Sequence, residues 1–132
     1  MFVRSSFRPL TRAATLGSRL QSSYSKIAKV TTLKEFENLT QSPKLSVFDF
    51  YATWCGPCKA MNPFIEKFSE TYKDVKFYKV DVDKLTDLST EFGVSAMPTF
   101  ALIKDGDVVS KVIGANPNAV HNLLIRATRN ES

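Results

Sequence analysis

The chain has 132 residues, 43% of them apolar, with 10 Phe, two Cys, one His and a net charge of +5. That length suits one domain with its own core and excludes two ordinary domains or a chain disordered throughout. No apolar run approaches the ~20 residues of a membrane span, and two cysteines with one histidine fall short of a disulfide scaffold or a four-ligand zinc site.

The charge is uneven along the chain. Met1 to Lys34 carries seven basic residues and no acid, whereas Glu35 to Ser132 carries 11 basic and 13 acidic residues. On a helical wheel Arg4, Arg8, Arg12 and Arg19 fall within an arc of about 80°, with Phe2, Val3, Phe7, Leu10, Leu16 and Leu20 opposite. An amphipathic, Arg- and Ser-rich, acid-free N-terminus fits a mitochondrial transit peptide; the plainer reading is a basic tail. The expectation is a removable leader over residues 1–21, handled by the mitochondrial import machinery, and a mature chain of residues 22–132 in the matrix. Removing Arg4, Arg8, Arg12 and Arg19 leaves 14 basic against 13 acidic residues, a net charge of +1. The basicity then belongs to the leader, and no nucleic-acid partner or membrane insertion is expected.

Past the leader the pattern alternates. Ser25 to Val30 is a short strand candidate. Thr32 and Glu35 fit a capping box, followed by the apolar face Leu33, Phe36, Leu39 and the stop Pro43. Leu45 to Ala52 is a continuous apolar run broken only by Asp49, the pattern of a central strand covered on both faces. Helical spacing returns from Lys59 through Met61, Phe64, Ile65, Phe68 and Tyr72, the first four read as core, with Pro63 as an internal kink. Val75 to Val82 is a second central strand, and Asp81-Val82-Asp83-Lys84 at its end reads as solvated charge. Leu85 to Phe92 is a short helix. Thr99–Ile103 and Val108–Ile113 flank the tight-turn pair Asp105-Gly106. Asn116 caps a last helix, with Pro117 at its first position and Val120, Leu123, Leu124 and Ala127 as its core face. His121 lies beside that face and reads as a solvated surface residue. The order βαβαβαββα predicts an α/β fold, a central mixed five-stranded sheet with four helices on its two faces.

Both cysteines fall in Trp54-Cys55-Gly56-Pro57-Cys58-Lys59, at a strand-to-helix junction. A disulfide across so short a loop removes little unfolded-chain entropy and is a poor staple. A zinc half-site would need a second pair, so reversible dithiol–disulfide exchange remains. Cys55 at a helix start gains thiolate character from the unpaired N–H groups and the macrodipole, and Cys58, one turn on, should be the more buried. Gly56 allows another chain close, and Pro57 restricts the turn.

Trp54-Cys55-Gly56-Pro57-Cys58-Lys59 is, without a change, the active-site motif of the thioredoxin family, which the chain resembles from about Ser25 to Asn130. Phe48-Asp49-Phe50-Tyr51-Ala52 resembles the preceding strand, Met97-Pro98-Thr99 the cis-proline loop, and Ile113-Gly114-Ala115 the loop completing the substrate groove. With the leader included, the resemblance is to the family's mitochondrial members. It implies the thioredoxin fold and a protein disulfide reductase with a Cys55–Cys58 redox disulfide. Cys55 is then the nucleophile, Cys58 the resolving thiol, and Gly56 and Pro57 tune the redox pair. Asp49, which could otherwise be a solvent-facing strand residue, becomes the proton acceptor for Cys58 through a bound water. Lys79 matches the lysine beside that aspartate, against the plainer reading of an exposed strand lysine. Trp54, Met97, Pro98 and Gly114 form the groove, with an expected cis bond at Pro98. The resemblance implies no bound cofactor or metal, electrons from NADPH through thioredoxin reductase, protein targets such as peroxiredoxins, and a mostly monomeric chain. A thiol oxidase or isomerase on the same fold, or a non-enzymatic adaptor, are the competing readings. The redox potential separates the first and a Cys55→Ser activity assay the second.

Overall fold

A computed structural model describes residues 27–131; the expected leader over residues 1–21, the mature start near Ser22, and Ser25 and Lys26 of the first strand lie outside the described residues. The elements run β1 (Ala28–Val30), α1 (Leu33–Thr40), β2 (Ser46–Tyr51), α2 (Gly56–Thr71), β3 (Lys76–Asp81), α3 (Thr86–Glu91), β4 (Thr99–Lys104), β5 (Asp107–Ile113) and α4 (Pro117–Glu131). This is the βαβαβαββα order read from the sequence.

Every residue of β2 is buried, because β2 lies at the middle of the sheet order β1-β3-β2-β4-β5. It runs parallel to β3 and antiparallel to β4, and β3 is in turn parallel to β1. A strand with neighbours on both edges and helices on both faces has no polar side, which explains the near-continuous apolar run. Side-chain alternation divides the core in two. Val47, Phe77, Phe100 and Leu102 pack with Met61 and Ile65 of α2 and Val120, Leu123 and Leu124 of α4. Phe48, Phe50, Val80, Ala101 and Ile103 pack on the other face with Phe36 of α1 and Leu88 of α3. There Phe36 meets Phe48 edge-on at 4.9 Å, and Phe50 stacks on Phe92 at 5.0 Å.

The turn chemistry acts as the sequence indicates. Asp105 and Gly106 both have positive φ, 52° and 80°, and join β4 to β5 with Lys104 opposite Asp107. Two consecutive left-handed residues match the strand twist of a two-residue hairpin. The Asn116 side chain accepts the Ala119 N–H at 3.1 Å, and Thr32 Oγ1 accepts the Glu35 N–H at 3.0 Å. The Glu35 carboxylate returns to the Thr31 N–H at 2.7 Å, one residue earlier than the usual capping box. β5 forms one edge of the sheet, with Val108, Val109 and Ile113 exposed.

Three expectations are corrected. Phe64 is 45% exposed rather than core: Met61, Ile65 and Phe68 lie within about 60° on the wheel, and Phe64 falls to one side of them. His121 is partly buried and stacks on Phe68 at 5.2 Å, with Tyr72 edge-on at 6.0 Å. Following Val120 on α4, it faces α2 rather than water. Asp81 is buried and accepts the Asp83 N–H at 2.9 Å, so its carboxylate shapes the turn after β3 instead of standing in solvent.

Candidate active site

β2 ends at Tyr51, and after the three-residue link 52–54 the chain enters α2 with Cys55 as its N-cap. The Cys55 backbone is extended, and its Sγ accepts the Cys58 N–H at 3.1 Å. That bond supplies one of the partners the first helical turn lacks. Pro57 sits in that turn, where no N–H is required. Cys55 and Cys58 are joined by a disulfide, with Cα atoms 5.3 Å apart. The expected difference in burial is absent: both are 4% exposed. In the bonded form the two sulfurs share the shelter of Tyr51, Ala52, Val82 and Met97. Around Gly56 the space where a side chain would stand is open.

Asp49 is 2% exposed, and its Oδ1 has no hydrogen-bond partner. Burial pushes its pKa up to about 7 from an ordinary 3.8, against the opposing pull of the Lys79 charge. Removing water penalises the carboxylate more than the neutral acid, so the group is poised to exchange a proton near neutrality. Alternation along β2 places Asp49 on the same face as Val47 and Tyr51, and Lys79 is its direct neighbour across the β2–β3 ladder. Lys79 is partly buried rather than an exposed strand lysine. Its Nζ donates to Asn62 Oδ1 at 3.0 Å and lies 4.6 Å from the centre of the Tyr51 ring.

A cavity of about 180 Å³ opens beside these groups, lined by Tyr51, Ala52, Thr53, Cys58, Lys59, Asn62 and Lys79. It exceeds the ~30 Å³ share of one water several times over, and its walls offer polar partners. A larger depression of about 700 Å³ lies elsewhere, along Ala28, Ser69, Lys73 and Tyr78, away from both sulfurs.

The Met97–Pro98 bond is cis, and Met97 packs against the disulfide cluster. The Pro98 carbonyl accepts the Gly114 N–H at 2.8 Å, which ties the loop before β4 to the loop after β5. Gly114 has φ 104°, a conformation that side-chain-bearing residues rarely adopt. Trp54 is 67% exposed and Ile113 65%, leaving apolar surface beside the sulfurs. The Trp54 indole Nε1 donates to Asp83 Oδ2 at 2.8 Å.

Cys55, Cys58, Trp54, Met97, Pro98 and Gly114 therefore converge at one end of the sheet, with Asp49 and Lys79 beneath the same cluster. Asn62 and Asp83 were missed. Asn62 follows Cys58 by one helical turn, and Asp83 follows β3, the parallel neighbour of the strand that leads to Trp54. The two placements follow from helix period and sheet adjacency only after the fold is known; the sequence alone carries no signal for either bond.

A family profile described as Thioredoxin matches residues 27–126. The chain is 50% identical over 117 residues to mitochondrial thioredoxin-3 of Saccharomyces cerevisiae, covering 86% of this chain and 92% of that one. The crystal structure of the same yeast protein in its oxidised form superimposes with a TM-score of 0.72 at 52% identity, covering 76% of this chain and 95% of that one. A further solved chain comes from work on thiol resolution in a yeast mitochondrial 1-Cys peroxiredoxin via glutathione and thioredoxin systems. It matches with a TM-score of 0.72 at 50% identity, over 75% of this chain and 93% of that chain.

Proposed function

The chain belongs to the thioredoxin family, and on that premise we propose that it reduces disulfide bonds of target proteins through Cys55 and Cys58. The observation that carries this reading is the pair itself: a disulfide at the N-terminus of α2, with Cys55 as the cap, beside the cis-Pro98 loop.

In the reduced protein, Cys55 is the thiolate. The helix N-terminus stabilises the negative sulfur, which is the form able to attack. A target strand docks along Met97-Pro98 and Gly114 with apolar contact to Trp54, its backbone pairing in the manner of an added strand. Cys55 Sγ attacks one target sulfur; the bond between the target sulfurs breaks, and the departing thiolate takes up a proton. Cys58 then gives its thiol proton to the Asp49 carboxylate through water; Cys58 lines the 180 Å³ cavity together with Lys79, the ladder neighbour of Asp49. Its sulfur attacks Cys55 Sγ, the mixed disulfide breaks, and the second target thiolate leaves. Two electrons have passed to the target, and the Cys55–Cys58 disulfide is formed. Lys79 moderates the proton affinity of Asp49, and Gly56 and Pro57 keep the pair compact.

Members of the family need no bound cofactor. Electrons return from NADPH through a thioredoxin reductase, and peroxiredoxins are among the targets; the yeast peroxiredoxin work supports the second assignment. We assign the protein to the mitochondrial matrix, with residues 1–21 as a removed leader and residues 22–132 as the mature domain. The acid-free Arg-rich N-terminus and the similarity to a mitochondrial relative support this. Fusing residues 1–24 to a reporter tests the address: a diffuse cytosolic signal would overturn it.

The decisive experiment on the chemistry is Cys58→Ser. It should accumulate covalent complexes with target proteins that dithiothreitol dissolves and that vanish when Cys55 is also replaced. Absence of a Cys55-dependent adduct would refute the order of attack.

A further inference from the structure

We propose that Asn62 is a positioning residue for this exchange, holding the Lys79 ammonium on the wall of the cavity that Cys58 shares and opposite Asp49. The inference rests on the reading of Asp49 as proton acceptor and adds the element that holds its counter-charge.

Lys79 leaves β3 directly across from Asp49. A lysine carries its charge on a flexible four-carbon stem and turns to solvent unless something holds it. Two contacts do so here. The Tyr51 ring lies 4.6 Å from the ammonium, and Asn62 Oδ1 accepts from it at 3.0 Å. The ring only attracts the charge, whereas the amide oxygen fixes a direction. Asn62 comes from α2 one turn after Cys58, so the helix that carries the resolving thiol also carries the clamp. Cys58, Asn62 and Lys79 all line the one cavity.

The groups facing Asp49 are few. On β2 the titratable neighbour is Tyr51; on β3 it is Lys79 and, two residues on along the same face and across from Tyr51, the buried Asp81. Phe100, its partner on β4, is apolar. From α2 come Cys58 and Lys59 on the cavity wall, while α4 brings Val120, Leu123 and Leu124 to this face. Lys79 is thus the cation that opposes the burial cost of the Asp49 carboxylate, and its placement sets how far that cost is offset.

Loosening Lys79 therefore leaves Asp49 holding its proton to higher pH. The test is the carboxyl carbon resonance of Asp49, followed against pH in the folded oxidised protein. Asn62→Ala should raise the midpoint by about half a pH unit and slow resolution of a preformed mixed disulfide about threefold on the acid limb. In a Lys79→Met background the same replacement should add nothing, because its route of action is gone. Alanine suits the interior of α2, and folding is checked by far-UV circular dichroism. An unchanged midpoint in Asn62→Ala, or an equal shift with Lys79→Met already present, would overturn the proposal. Asp49→Asn tests the underlying reading separately. If it leaves resolution as fast and as pH-dependent as in the parent, Asp49 is not the proton acceptor, while the carboxyl titration still decides the clamp.

Discussion

Replacing Asp49 with Asn should make the folded protein more stable, and increasingly so as pH rises. Asp49 is 2% exposed with one oxygen unpartnered, and burial raises its pKa from 3.8 to about 7. For an acid raised on folding, the cost is absent below the unfolded value, grows as pH passes 3.8, and is complete above 7. A shift of about three pH units corresponds to about 4 kcal/mol, of which roughly 1 kcal/mol is already present at pH 4.5. Asn is close to isosteric and neutral, so its own burial cost does not vary with pH. The difference between variant and parent should therefore change by about 3 kcal/mol between pH 4.5 and 8, with the parent losing stability relative to the variant. Guanidinium unfolding of both oxidised proteins at half-unit pH intervals reads this, provided the two slopes agree. A flat difference over that range would show that Asp49 is ionised at no cost, and a difference of opposite sign would show that it is stabilised as the anion. Either result would remove the physical basis for Asp49 as a neutral-pH proton acceptor.

Other replacements probe the docking surface. Asp83→Ala removes the acceptor for the Trp54 indole. At this exposed position stability should move by less than about 0.5 kcal/mol, while reductase kcat/KM falls roughly two- to tenfold. The fluorescence of Trp54, the sole tryptophan, reports the loosening; unchanged emission and KM would refute a tethering role. Gly114→Ala adds a methyl where no heavy atom beyond its two chain neighbours lies within 4 Å, so any cost comes from φ 104°. That cost should be about 1–3 kcal/mol in a chemical melt, together with weaker target binding; an unchanged denaturation midpoint would mean that the loop relaxes freely.

Legibility in the sequence followed how local the governing physics is. Thr32, Asn116-Pro117 and Asp105-Gly106 act through neighbours within four residues, and each capped or turned the chain where its chemistry indicates. The apolar run Leu45–Ala52 marked the sheet centre because burial on both faces leaves its trace in composition. The redox pair was legible for the same reason, since Cys55 and Cys58 meet through one helical turn. Side-chain partnerships across elements were not. The Trp54–Asp83 bond spans 29 residues and the Lys79–Asn62 bond 17, and neither leaves a periodic signal. Asp81 and His121 were misread as solvated for a related reason. Charge and polarity identify a residue that can face water, but the packing of a neighbouring turn or helix decides whether it does.

The outer strand β5 carries a cost of its own. From Val108 to Ile113 it reads Val-Val-Ser-Lys-Val-Ile, a β-branched stretch with a single charge and unpaired backbone on one side, the composition that stacks into intermolecular sheets. Lys111 is that charge. Its ammonium donates to the Phe92 carbonyl at 3.3 Å and sits 4.6 Å from the Phe92 ring centre, so it is held in place instead of sweeping through solvent. Two such edges meeting antiparallel would bring their Lys111 ammoniums close together, and like charges across a ladder oppose pairing. The end of this same strand, at Ile113, is exposed and borders the loop proposed above to dock target proteins. Colloidal stability and the proposed docking thus draw on one short strand, and a cation midway along it opposes self-pairing while the end of the strand stays apolar.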